Sequence, residues 1–113
     1  MLFLGMVHDV SQLMASADIN ILCSDYEGLS GVTLEAMRCK RPFIGSRVPG
    51  IMDVVGTSQC LFDNKPESVA IKIRQCLDDV FCQEVIAANS RKIKEYSLEY
   101  MIDNYYELYK NLI

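Results

Sequence analysis

Apolar and polar residues alternate along this chain in short blocks of two kinds. Leu2-Phe3-Leu4-Gly5-Met6-Val7, Ile19-Asn20-Ile21-Leu22-Cys23, Phe43-Ile44-Gly45-Ser46 and Leu61-Phe62 are brief apolar runs bounded by polar or turn residues, as buried strands are. Between them lie helical patterns. Val10, Leu13, Met14 and Ala17 recur at spacing three and four, with Asp9 or Ser11 placed to cap the helix. A second helix is expected from near Gly31 to near Cys39, before Arg41-Pro42 breaks the chain. Val48-Pro49-Gly50 reads as a turn, followed by a short helix over about 51–55. Asn64-Lys65-Pro66-Glu67 opens a helix with proline in its first turn, its apolar face made by Val69, Ala70, Ile73, Leu77 and Val80. Two more helices are expected over about 81–95 and 98–112. The stripe of the last, Tyr105, Leu108, Tyr109 and Leu112, reads as packing surface.

Short strands alternating with helices predict an α/β fold: a Rossmann-like parallel sheet of about four short strands flanked by helices. With 113 residues, 50% of them apolar and 23% charged, the chain has the composition of a single globular domain, 1–113. The net charge of −4 argues against free nucleic acid as a partner. Basic residues gather at Arg38, Lys40 and Arg41 and at Arg91, Lys92 and Lys94. Both groups read as solvated faces, with at most peripheral contact to an anionic membrane. Five cysteines without a C-x-x-C pair indicate reduced, mostly buried thiols in a cytoplasmic setting rather than disulfides or a zinc site. The single His8 has no companion at ligand or triad spacing, so no metal is expected. There is no signal-peptide pattern and no run of membrane-spanning length.

The chemistry concentrates where the second apolar run gives way to a helix, at Asp25-Tyr26-Glu27-Gly28-Leu29-Ser30-Gly31-Val32-Thr33-Leu34-Glu35. Glu27 falls in the turn and Glu35 a turn into the helix, so both can face the crevice at the carboxyl end of the strand. Backbone N–H groups around Leu29 to Val32 would point into the same crevice, where a helix start favours phosphate. Carboxylates that accept from sugar hydroxyls beside amides that hold phosphate suggest a nucleotide-sugar site. The plainer readings are an exposed turn residue for Glu27 and a dipole-stabilised carboxylate for Glu35.

The runs Ala17–Ser24, Tyr26–Leu29, Leu34–Met37 and Arg41–Ile44, with Phe3-Leu4-Gly5 before and Pro49–Val55 after, resemble in order and spacing the C-terminal domain of retaining glycosyltransferases of GT-B fold, family 4 or "group 1". Glu27 and Glu35 match that family's E-x7-E signature. The resemblance implies a donor sugar held by Glu27, Gly28, Leu29 and Ser30. It implies nucleotide and diphosphate held by Gly31, Val32 and Glu35, with no cofactor and no metal. It further implies synthesis of cell-surface polysaccharide or glycolipid at the inner face of the membrane. The family has glycine where this chain has Ser30 and Lys40, proline where it has Cys23, Gly-Gly where it has Pro49-Gly50, and glutamate where it has Asp53. Lys40 is thereby expected to adopt a left-handed backbone.

The family's N-terminal acceptor domain and diphosphate-binding Arg/Lys segment do not match any part of these residues. The chain alone is therefore expected to bind donor without catalysing transfer, with no catalytic residue assigned. In a sheet of order 3-2-1-4-5-6, the run 2–7 would have to move beside 19–23, or a partner chain would cover that edge. The other reading is a non-catalytic remnant that acts as a binding or assembly module, as a homodimer or on the missing N-terminal domain. A related GT-B epimerase fits the signature less well.

Overall fold

A computed structural model of the protein describes residues 1–28 and 31–112, with backbone only over 98–100. Helix α1 (Val10–Ser16) leads to β1 (Asn20–Leu22), α2 (Gly31–Arg38), β2 (Phe43–Ser46) and the one-turn α3 (Pro49–Met52). A 3₁₀ turn, Ser58–Cys60, precedes β3 (Leu61–Phe62). Then come α4 (Pro66–Gln75), α5 (Asp79–Ile93), a second 3₁₀ turn (Lys94–Tyr96) and α6 (Leu98–Leu112).

The three strands form one parallel sheet in the order β1-β2-β3, with Ile21 opposite Ile44 and Ser46 opposite Phe62. The central strand β2 is buried along its whole length, which is why it reads as an unbroken apolar run. Gly45 is required there, because a Cβ would crowd the Phe43 ring and Ile51. Phe43, Ile44, Ile51, Leu61 and Phe62 form the centre of the core with Ala36 of α2 and Val85 of α5. Met14, Ile19, Leu22, Val69 and Phe81 pack around them. Each fully buried side chain of this size contributes about 1.5–3 kcal/mol.

The structure corrects three expectations. The run Leu2–Val7 is not a strand, and β1 does not pair with it; Leu2, Phe3 and Met6 are 80%, 87% and 95% exposed. The described residues thus hold three strands rather than four. A strand exists only where it has a partner to bond, so the apolar pattern is necessary but not sufficient. Helix α4 stops at Gln75, which leaves Leu77 and Val80 off its face and largely exposed. The cause is local: the Asp78 carboxylate accepts from the Val80 N–H (2.9 Å) and starts α5 there. Lastly, the tyrosines of α6 are exposed rather than packed (Tyr105 54%, Tyr109 63%). No helix among the described residues is long and apolar enough to cross a membrane.

Candidate functional site

The carboxyl ends of the three strands lie side by side, and each is followed by a polar loop. One hydroxyl joins them. Ser46, the last residue of β2, accepts a hydrogen bond from the Ser24 N–H beyond β1 (2.8 Å) and donates to Asn64 Oδ1 beyond β3 (2.6 Å). Asn64 Nδ2 in turn donates to the Ser24 carbonyl (2.8 Å) and to Asp25 Oδ1 (3.3 Å). The Ser24 hydroxyl donates to the Tyr26 carbonyl (2.8 Å), turning the loop toward Glu27. Ser46 is fully buried, so these bonds are also what keeps its hydroxyl satisfied.

The Glu27–Gly28 backbone is held from a second side. A Cβ at Gly50, in the first turn of α3, would overlap the carbonyl oxygens of Glu27 and Gly28. Glycine at 50 is therefore what lets α3 meet the loop backbone to backbone.

Of the residues singled out from the sequence, Glu27 is half-buried and Gly28 exposed in this loop, while Gly31 and Val32 are exposed in the first turn of α2. Glu35 follows one turn later on the solvent side of α2, whose opposite side buries Thr33, Ala36 and Met37. The loop and the helix start thus share the carboxyl end of β1, and Glu27 and Glu35 flank the junction. Leu29 and Ser30 lie outside the described residues.

Sequence reasoning missed Ser46 and Asn64, and it missed a cleft beside them. The cleft, of about 560 Å³, is lined by Cys23, Ser24 and Asp25 after β1, by Asn64 and Lys65 after β3, and by Val69, Ala70 and Ile73 of α4. Neither Glu27 nor Glu35 lines it. Lys65 brings one cation to this mouth. Arg47, one residue past β2, is engaged with Asp63 at 3.3 Å, a pair too exposed to add much stability.

Three other thiols, Cys60, Cys76 and Cys82, lie outside the lining of this cleft. Burial pushes Cys60 up to about 12 and Cys76 up to about 11, and it raises Cys82 as well. They remain protonated core groups rather than nucleophiles or ligands. Among the described residues no cluster of His, Cys, Asp and Glu could hold a metal ion.

Residues 1–79 match the family model for glycosyl transferases group 1. Over 54 residues (48% of this chain) the sequence is 46% identical to the N-acetyl-alpha-D-glucosaminyl L-malate synthase of Bacillus anthracis, covering 14% of that protein. Over 96% of the chain it is 30% identical to an uncharacterized glycosyltransferase of Methanocaldococcus jannaschii, covering 30% of it. It is also 30% identical over 73 residues to a GDP-mannose-dependent alpha-(1-6)-phosphatidylinositol dimannoside mannosyltransferase of Mycobacterium tuberculosis, covering 64% of this chain and 19% of that one. The chain thus spans less than a third of the length of each of these relatives.

Proposed function

The chain belongs to the glycosyl transferases group 1 family, and from that we propose that it is the donor-binding part of a retaining glycosyltransferase that uses a nucleotide-sugar. The observation that carries this reading is the β1–α2 junction. Glu27 and the first turn of α2 stand together at the carboxyl end of a parallel sheet, with the loop clamped by Ser46, Asn64 and Gly50. A rigid loop is what recognition needs, since hydroxyl and phosphate contacts are worth little if the groups making them must first be ordered.

In this reading Glu27 accepts from hydroxyls of the donor sugar, with Gly28, Leu29 and Ser30 alongside. Amides at Gly31 and Val32 face the diphosphate, and Glu35 accepts from the two ribose hydroxyls. The site uses no metal. Its parent reaction belongs to cell-surface polysaccharide or glycolipid synthesis. The name of the mycobacterial relative, which specifies GDP-mannose and a phosphatidylinositol dimannoside, supports that class. These 113 residues hold donor but do not by themselves transfer it.

Calorimetric titration with UDP, GDP and ADP tests the proposal. One nucleotide should bind saturably, and Glu35→Ala should weaken it by about tenfold or more, the worth of a charge-assisted hydrogen bond. Absence of binding at millimolar nucleotide would overturn the reading.

A further inference from the structure

We propose that Asn64 is the positioning residue for the donor sugar: it sets where Glu27 stands, and through Glu27 the hold on the sugar, while the hold on the nucleotide rests elsewhere. The inference deepens the donor-site reading and stands on it. Pairing between β1 and β2 ends with Leu22 opposite Gly45. Two residues further on, Ser24 is held by side chains instead. Its N–H donates to the Ser46 hydroxyl (2.8 Å), and its carbonyl accepts from Asn64 Nδ2 (2.8 Å), 40 residues away in sequence. Asn64 commits its whole amide to this task. Its oxygen accepts from Ser46 (2.6 Å), and Nδ2 reaches Asp25 Oδ1 (3.3 Å) as well as the Ser24 carbonyl. The Ser24 hydroxyl then donates to the Tyr26 carbonyl (2.8 Å), and Glu27 is the next residue. A run of hydrogen bonds thus leads from Asn64 to the threshold of Glu27. Gly50 meets the Glu27–Gly28 backbone from the other side by contact alone. Contact limits approach, whereas hydrogen bonds fix direction.

The groups assigned to the nucleotide have a different support. Gly31, Val32 and Glu35 belong to α2, which is anchored by buried Thr33, Ala36 and Met37 and packs on α5. That anchorage is core packing, and Asn64 takes no part in the core. Removing the Asn64 amide therefore leaves α2 in place and frees the segment that carries Glu27. A carboxylate that must first be ordered loses part of what it gains from a sugar hydroxyl. The loss falls on the sugar end of the donor and spares the ribose and diphosphate end.

Titrating the 113-residue chain with UDP, GDP and ADP, and with UDP-glucose, GDP-mannose and ADP-glucose, tests this. Asn64→Ala should raise the dissociation constant of the nucleotide-sugar that binds by about threefold to tenfold, the worth of a hydrogen bond, and leave that of the matching nucleotide within about twofold. Glu27→Ala should weaken the nucleotide-sugar too. Adding Asn64→Ala to it should change little more, since Asn64 acts through Glu27. If Asn64→Ala loses its helical content by circular dichroism, Ser24→Ala, which breaks the next bond of the run, carries the same expectations. Equal weakening of nucleotide and nucleotide-sugar overturns the inference. So does no weakening, an undiminished effect in the Glu27→Ala chain, or a parent that binds nucleotide but no nucleotide-sugar. Each of these leaves nucleotide binding by the chain standing. A parent that takes none of the six compounds overturns the donor-site reading and this inference with it.

Discussion

Lys40 stands at φ 55°, between α2 and β2, where side chains are rarely tolerated. Its strain was legible beforehand, because the family it resembles places glycine there. Lys40→Gly should raise stability by about 0.5–1 kcal/mol, read as a higher urea midpoint at unchanged slope; Lys40→Ala should give no such gain. Glu27 and Glu35 were legible for the same reason, as a spaced pair within one stretch of chain. Ser46 and Asn64 were not. Serine and asparagine after a strand are ordinary, and their meaning comes from bonds across 18 and 40 residues of sequence.

The elements divide along the same line. The run Phe43–Ser46 follows a proline and is entirely apolar or small, and it forms the strand it predicts. Leu2–Val7 has the same pattern and forms none, because nothing among the described residues bonds to it. The end of α4 was missed because apolar periodicity continues through Leu77 and Val80, while one carboxylate at Asp78 starts a new helix. Helix α3 shows how a short element can matter beyond its length. Its role is to press a bare backbone against the Glu27–Gly28 loop, so Gly50→Ala must separate the two. That substitution should lower stability by about 2 kcal/mol or more and weaken any nucleotide binding, measured by denaturant unfolding and by titration.

For the molecule as a whole, the buried thiols fix how stability responds to alkali. Cys60 and Cys76 hold their protons up to about 12 and about 11 when folded, against 9.0 when free. Above pH 9 the unfolded chain releases those protons and the folded one does not, so unfolding gains and stability falls. Stability should thus be level with respect to these groups below about pH 8 and decline above pH 9, by up to about 1.4 kcal/mol per pH unit for each thiol. Denaturant unfolding at stepped pH checks this, and Cys60→Ala should make the decline shallower.

The hydroxyl at the end of β2 carries a different kind of consequence. Because Ser46 answers Ser24 on one side and Asn64 on the other, removing it takes a hydrogen-bond partner from the Ser24 N–H and from Asn64 Oδ1 at once. Replacing Asn64 alone deprives Ser24 and Asp25 together. Positions 46 and 64 thus act as a coupled pair. Another matched pair could stand in for this serine and asparagine, but a change at either one alone leaves a loosened mouth.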